Sequence, residues 1–290
     1  MELIYDYIKN DALRHELNAL TQKTFGFDFE NWVTAGYFQG DYIPYSFEEN
    51  GKLLANVSAN KMCFMQKGVR KNYIQIGTVM TDEFYRKQGL AKRLMEYVIK
   101  EYKDRCDGIY LFANLGALDF YRKLGFKEGL QYQYVLKNGW KPDAKSSFIK
   151  VDPQDEKIKL CYLDAVKDSV VVSAFEHTNK FGLQMFYTAN LENVYYAADL
   201  DLFAVMEKEN GTLMLQSIIG KKQVSLQDVI DRIDAEYDRL QLGFTPRDGD
   251  VDMFEASSYD GGEDYRLFYL GEDLESIEKE KLFFPVLSHA

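Results

Sequence analysis

The stretch IGTVMTDEFYRKQGLAKRL, residues 76–94, decides how the first half of this 290-residue chain folds. Its beginning, Ile76 to Thr81, belongs to an apolar run typical of a strand, and the helical period then takes over. The side chains on one face of the predicted helix are Leu90, Leu94, Tyr97 and Val98. A strand that leads through a loop into a helix presents the helix's unpaired N–H groups and its positive dipole end at that loop. Such an opening favours phosphate oxygens.

The loop at the helix opening is basic and contains a glycine. Gly89 allows a ligand to approach the backbone closely, and Ala91 keeps the next position small. The positively charged side chains around them are Arg86, Lys87, Lys92 and Arg93. A dinucleotide site would need Gly-x-Gly-x-x-Gly, and a P-loop would need Gly-Lys-Ser/Thr. The stretch contains neither, so it predicts an anion site of a different kind.

Strands and helices alternate on both sides of this stretch, which indicates an α/β fold with a mixed sheet and at least one parallel crossover. The predicted elements of the first half are a helix at 11–24, a short helix within 27–38, a hairpin turning at Asn50-Gly51, strands at 53–65, 73–81, 109–113 and 131–136, and a helix at 116–124. Asn-Gly suits a hairpin turn that needs positive φ at both central residues.

Two motifs in this frame resemble a known family. Arg86-Lys87-Gln88-Gly89-Leu90-Ala91 is similar to the acetyl-CoA signature Gln/Arg-x-x-Gly-x-Gly/Ala of the GNAT N-acetyltransferases. Residues 114–126, NLGALDFYRKLGF, look like the family's second landmark, which ends in Phe-Tyr-x-x-x-Gly-Phe. The resemblance covers approximately residues 1–137. It implies the GNAT acyl-CoA N-acyltransferase fold, with acetyl-CoA as co-substrate.

The resemblance implies a role for each matching residue. The backbone of Val79, Met80 and Thr81 would pair with the pantetheine arm, and an N–H of Val79 or Met80 would polarise the thioester carbonyl. The pyrophosphate would lie on Arg86, Lys87, Gln88, Gly89, Leu90, Ala91 and Lys92. Asn114 would hydrogen-bond the cofactor. Tyr121 would protonate the departing thiolate as general acid, a role that suits a phenol because its ordinary pKa of about 10 lies near that of a thiol.

Three of these residues also allow a purely structural interpretation. Tyr121 can be a core aromatic, Asn114 a helix cap and Gly89 a turn residue. The general base is open as well. The family often carries a Glu on the cofactor-binding strand, but residues 74–81, IQIGTVMT, contain no carboxylate. A water chain or an acid from elsewhere, such as Asp41, would take the amine's proton.

The second half repeats the plan of the first without its signature. We expect a GNAT catalytic domain at 1–140, a polar linker at 141–157 and a degenerate GNAT-like domain at 158–290. The predicted elements of the second half are mostly helix at 155–188, strands at 194–207, 212–219, 240–244 and 264–270, a turn at Asn210-Gly211 and a helix at 226–239 that Ser225 caps.

Composition excludes several other functions. Residues 1–150 carry 22 basic and 18 acidic side chains, so residues 151–290 hold most of the acidity of a chain whose net charge is -11. The acidic half favours cations and disfavours nucleic acid. Scattered cysteines (Cys63, Cys106 and Cys161) and only three histidines argue for a reduced, cytoplasmic protein and against a metal site. The sequence contains no membrane-spanning or secretory segment.

These observations predict an N-acetyltransferase that moves an acetyl group from acetyl-CoA to a primary amine, by direct attack in a ternary complex. The acceptor would be a small molecule or peptide, and the acidic half favours a cationic one. The alternative is a non-catalytic acyl-CoA-binding module whose acidic C-terminal domain binds a protein partner. The sequence does not predict an oligomeric state.

Overall fold

The computed structural model describes residues 1–137, 147–234 and 236–290, which fold into two mixed sheets covered by helices. The strands are β1 (Glu2–Tyr5), β2 (Tyr42–Glu49), β3 (Lys52–Gln66), β4 (Val69–Thr81), β5 (Gly108–Ala113), β6 (Lys127–Gly129), β7 (Gln131–Leu136), β8 (Ile149–Lys150), β9 (Phe175–His177), β10 (Val194–Ala197), β11 (Leu202–Glu209), β12 (Thr212–Ile219), β13 (Arg239–Leu242), β14 (Phe254–Tyr259) and β15 (Arg266–Leu270). The helices are α1 (Asp11–Phe25), α2 (Glu30–Thr34), α3 (Leu90–Tyr102), α4 (Leu118–Lys123), α5 (Glu156–Lys167), α6 (Phe181–Thr188), α7 (Leu226–Ile230) and α8 (Ser276–Lys279).

The two sheets have the same plan. The first runs β1-β2-β3-β4-β5-β15-β6, with β9 added beside β3, and the second runs β8-β10-β11-β12-β13-β7-β14. In each sheet one neighbouring pair is parallel, β4 with β5 and β12 with β13, and the remaining described pairs are antiparallel. This shared order supports the repeated plan that the sequence predicts for the two halves.

The halves also exchange strands. β7, from the first half, pairs with β13 and β14 in the second sheet, whereas β15, from the second half, pairs with β5 and β6 in the first. The predicted boundaries at 1–140, 141–157 and 158–290 therefore do not separate the sheets, although they stay a prediction about folding units. Residues 141–146 of the predicted linker lie outside the described residues, and residues 149–150 of it form β8.

Local sequence explains the elements near the site. Leu90, Leu94 and Val98 of α3 are buried against the first sheet, as their spacing predicts. Tyr97 is 39% exposed, because an α-helix has 3.6 residues per turn and Met95, not Tyr97, occupies the position that faces the sheet. Asn50 and Gly51 take φ values of 54° and 82°, which confirms the predicted turn.

Some other elements differ from the sequence prediction. The aromatic segment 27–38 forms the short α2, as predicted, whereas the helix expected at 226–239 ends at Ile230, and the strand expected at 194–207 is two antiparallel strands, β10 and β11. The stretch 155–188 is interrupted by β9, which pairs with β3 of the first sheet. These tertiary pairings have no local sequence signal, since a three-residue strand is too short to show alternation.

Candidate active site

The parallel strands β4 and β5 part in the middle of the first sheet. Their pairing runs from Tyr73 and Gly108 to Gln75 and Tyr110 and stops there. β4 continues to Thr81 beside β3, while β5 continues to Ala113 beside β15. Main-chain groups on the facing edges are thus left without a strand partner between them. An extended ligand can pair with such edges as an added strand.

A bulge in β4 begins where the strands part. The register with β3 shifts between Asn56 and Ser58, opposite Thr78, which has a φ of 40°. Positive φ is strained for a β-branched residue, and side-chain bonds hold it in place. The amide of Asn56 donates to the Thr78 carbonyl at 2.9 Å, and the hydroxyls of Tyr42 and Thr78 are 3.0 Å apart. Bulges commonly re-aim groups beside active sites. Sequence reasoning missed both Thr78 and Asn56.

The loop before α3 exposes its backbone to solvent. Lys87 and Gly89 have φ values of 63° and 78°, and α3 begins directly after Gly89. Successive backbone N–H groups in a turn that contains left-handed residues can form a concave nest for an anion, so this loop is a candidate anion site. A Cβ added at Gly89 would meet no atom within 4 Å, so its φ, and not crowding within the protein, favours glycine here.

The residues predicted to bind the pyrophosphate differ in their exposure and in their contacts. Lys87, Gln88 and Lys92 are exposed, and Lys92 lies 3.7 Å from Glu96. The Arg86 guanidinium donates to the Thr81 carbonyl at 3.2 Å. Leu90 is buried in the core, so only its backbone can face a ligand.

A cavity of about 520 Å³ lies beside the gap between β4 and β5. Of the predicted site residues, it brings together Val79, Ala91, Asn114 and Tyr121. Met80 is buried in the core beneath α1, where its side chain cannot reach a ligand. Thr81 and the remaining loop residues do not line this cavity.

Tyr121 lies on α4 and is 6% exposed. Its ring packs against Phe126 and against Phe268 of the exchanged strand β15, with centroids 6.1 and 5.9 Å apart. The hydroxyl has no hydrogen-bond partner among the described residues, and burial raises its pKa to about 12. A phenol in this state is protonated at neutral pH and free to donate.

The second half supplies much of the cavity wall, which the sequence did not predict. Its contributions are His177, Asn179, Gly182, Leu183, Phe186, Tyr187, Asp264, Tyr265, His289 and Ala290. His177 is 4% exposed, and neither of its ring nitrogens makes a hydrogen bond of standard geometry among the described residues, with the Asn179 side chain close enough to oppose the lowering of its pKa. Burial lowers its pKa to about 3. His177 is therefore a neutral polar group that faces a mostly apolar cavity.

Asp41 also lines this cavity. It is half-buried, and its pKa is raised because burial outweighs the opposing effects of the Asn179 amide and the Lys61 charge. Asp41 precedes β2, and β3 lies between β2 and β4, so its backbone is two strand spacings, about 10 Å, from β4.

The corresponding position of the second sheet is filled by the protein itself. The pairing of β12 with β13 ends at Leu215 and Leu242, and the next residue, Gly243, accepts a 2.9 Å hydrogen bond from the Val286 N–H. A Cβ added at Gly243 would lie 2.7 Å from the Val286 side chain. The segment around Val286 therefore occupies the place where a ligand would enter.

Two kinds of feature are absent from the described part of the chain. It holds no helix long and apolar enough to cross a bilayer. Within the same residues, no group of three or more His, Cys, Asp or Glu side chains is placed to hold a metal ion.

The mixed sheet with parted parallel strands, followed by a helix that begins after a left-handed glycine, agrees with the GNAT fold that the sequence motifs imply. Residues 7–126 match the model of the acetyltransferase (GNAT) family, so the chain carries a GNAT acetyltransferase domain and is an enzyme of that type. The family binds CoA and its acetyl thioester. No curated protein sequence matches the chain significantly.

Solved structures share the fold over nearly the whole chain. A GCN5-related N-acetyltransferase from Kribbella flavida is 16% identical with a TM-score of 0.56, over 94% of this chain and 73% of that one. A probable N-acyltransferase from Enterococcus faecalis is 15% identical with a TM-score of 0.54, over 96% and 74%. A GCN5-related N-acetyltransferase from Anabaena variabilis is 15% identical with a TM-score of 0.53, over 92% and 72%. At these identities the likeness concerns the fold alone, and it extends over more than nine tenths of this chain.

Proposed function

We propose that the protein transfers an acetyl group from acetyl-CoA to a primary amine of a cationic acceptor, by direct attack in a ternary complex. The observation that carries this proposal is the position of Tyr121. Its unpartnered phenol faces the same cavity as Val79, where β4 and β5 part. A thioester placed between the strands would have a proton donor beside its sulfur.

The unpaired backbone groups of β4 and of the loop before α3 support the proposed position of the co-substrate. In the proposed complex the pantetheine arm pairs with Val79, Met80 and Thr81, and an N–H of Val79 or Met80 polarises the carbonyl. The pyrophosphate lies on the loop from Arg86 to Lys92, whose left-handed residues and charges suit it. Asn114, exposed at the cavity rim, hydrogen-bonds the cofactor.

The transfer itself needs one proton donor and one proton acceptor. The neutral amine attacks the thioester carbon, a C–N bond forms, and the C–S electron pair leaves with sulfur. Tyr121 protonates the thiolate, while the amine nitrogen gives up its surplus proton. β4 offers no carboxylate for that proton, and Asp41 lies two strand spacings away. We therefore propose that water relays the proton from the nitrogen towards Asp41.

A cationic acceptor suits the carboxylates of the cavity. Asp41 and Asp264 both line it, together with one ammonium group, that of Lys61. A half-buried carboxylate gains from a nearby cation, because the cation offsets the loss of water around it. These carboxylates line the cavity itself, so they support a cationic acceptor more directly than the net acidity of the second half does.

The test is an assay of CoA release with a panel of primary amines, run beside calorimetric titration of acetyl-CoA. We expect saturable acetyl-CoA binding and amine-dependent CoA release, with Tyr121→Phe lowering kcat while leaving the Kd of acetyl-CoA nearly unchanged. Tight binding with no amine-dependent release from any amine would contradict the proposal and favour the non-catalytic acyl-CoA-binding module.

A further inference from the structure

Part of the cavity lining consists of aromatic rings from both halves of the chain. We call this set the aromatic wall: Phe25, Phe27, Phe29, Trp32 and Phe186. Phe186, from the second half, lies 5.5 Å from Phe27 and 6.0 Å from Phe29 between ring centroids. Trp32 is fixed by a 2.7 Å hydrogen bond from its indole N–H to the Gly182 carbonyl.

The aromatic wall is incompletely covered by protein. Phe25 is 48% exposed, and Phe27, Trp32 and Phe186 are partly exposed, whereas Phe29 is buried. Contiguous apolar surface of this kind is uncommon on a soluble protein unless it binds something, because covering it stabilises a complex by about 25 cal/mol per Å². A cavity of about 520 Å³ is of the size that holds a small molecule.

His177 adds a separate observation at the same cavity. Both of its ring nitrogens are buried and make no hydrogen bond of standard geometry among the described residues. Such groups are rare in folded proteins, because an unmade hydrogen bond costs about 1–3 kcal/mol. A ligand that carries a hydroxyl or N–H group on its body would satisfy one of them.

We infer that the acceptor is a primary amine carried on a compact aromatic or branched aliphatic body, with a hydrogen-bonding group that meets His177. The body lies against the aromatic wall, and the amine points to the gap between β4 and β5. A polyamine or an amino sugar would leave the wall uncovered and would bring polar groups against it without partners. The inference deepens the proposed function and rests on it.

The experiment measures amine binding to the protein saturated with CoA, which needs no turnover, and kcat/KM in parallel. The probes are 2-phenylethylamine, tyramine, spermidine and kanamycin. The test variant is Phe186→Ala. The matched control is Phe181→Ala, on the same helix α6 and also partly buried, but packed on Tyr37 outside the cavity.

We expect 2-phenylethylamine and tyramine to bind more tightly than the other probes. Phe186→Ala should raise their Kd about tenfold, as losses of apolar contact in a pocket do, while Phe181→Ala leaves the Kd unchanged. Preference for spermidine or kanamycin, or an equal Kd in Phe186→Ala and wild type, overturns the inference. A change in octanoyl-CoA turnover confined to Phe186→Ala, with amine Kd unchanged, also overturns it, because the wall would then hold an acyl chain.

A separate comparison of two amines tests the role of His177. Tyramine should bind about fivefold more tightly than 2-phenylethylamine, the size of one neutral hydrogen bond. His177→Phe should remove this difference, and His177→Gln should keep part of it. Equal affinity of wild-type protein for the two amines removes His177 from the site. Phe186-dependent amine binding without any CoA release would instead refute the proposed acetyl transfer while leaving the ligand class standing.

Discussion

Gly89→Ala separates two interpretations of the loop before α3. If Gly89 is only a turn residue, alanine costs what a left-handed φ of 78° costs an L-residue, about 1–2 kcal/mol. No clash adds to this cost, because a Cβ there would meet no atom within 4 Å. For a chain of this size, 1 kcal/mol lowers Tm by about 2–4 °C.

If the loop binds the pyrophosphate, the same methyl group enters the space that the phosphate oxygens occupy. Loss of one hydrogen bond to a charged group costs about 1.5–3 kcal/mol, which raises the Kd of CoA at least about tenfold. We therefore expect Gly89→Ala to lose a few degrees of Tm and also at least tenfold in CoA affinity. Calorimetric titration of CoA and a thermal melt measure the two quantities separately.

Gly51→Ala is the matched control. Gly51 has a φ of 82° and the same empty surroundings, but it lies in the β2–β3 hairpin. The Tm of Gly51→Ala should fall by a similar amount, and its Kd for CoA should equal that of wild type. Equal Kd values in Gly89→Ala, Gly51→Ala and wild type would refute the assignment of the pyrophosphate to this loop.

Three further predictions concern Tyr121, His177 and the exchanged strand. Tyr121→Phe should lower kcat by about 10²-fold or more, as removal of a general acid does, and an unchanged kcat with a good amine would end the proposed acid role. The pKa of His177 is about 3 in the folded protein and about 6.5 in the unfolded chain, so the unfolded chain binds the proton more readily. The stability that depends on neutral His177 is therefore complete above pH 6.5 and is lost as the pH falls towards 3. Urea unfolding at pH 5 and pH 8 should show a loss at pH 5 that is about 2 kcal/mol larger in wild type than in His177→Phe, which keeps the loss due to His289, a second buried histidine whose pKa burial lowers to about 3; an equal loss in both proteins would show that His177 does not contribute. Phe268→Ala removes a buried ring that the second half packs against Tyr121 and should cost about 3–5 kcal/mol of stability, measured by the same unfolding; a cost below 1 kcal/mol would mean that β15 contributes little to the first sheet.

Local signals were sufficient to predict the secondary-structure elements around the proposed co-substrate site. The strand, the loop and the helix from Ile76 to Val98 form as their periodicity indicates, and the Asn50-Gly51 turn has the φ values that its residues favour. Ser225 caps α7 by accepting from the Asp228 N–H at 3.0 Å, also as predicted. Each of these features is encoded by residues only a few positions apart.

The acceptor side could not be predicted in the same way. Phe186 and His177 reach the cavity only because α6 and β9 pack on the first sheet, through contacts more than a hundred residues apart in sequence. The exchange of β7 and β15 likewise depends on which sheet edge each strand finds. The bulge at Thr78 is set by its bond from Asn56 on the neighbouring strand, and neither residue has a local signature.

The strand exchange also changes the meaning of a domain boundary in this chain. The ring that packs on Tyr121 from β15 belongs to the second half, and residues of both halves line the cavity. In the second sheet, the corresponding gap is filled around Val286. In the first sheet, Ala290 lies against Gly77 where β4 leaves β5, and both residues line the cavity beside the gap.

Hydrogen–deuterium exchange with and without acetyl-CoA tests the central claim most directly, because it reports where along the chain the co-substrate protects backbone N–H groups. We predict protection in peptides covering residues 76–93 and 112–122, with little change in residues 212–247 of the second sheet. Protection centred on residues 212–247, or none at saturating acetyl-CoA, would contradict the account.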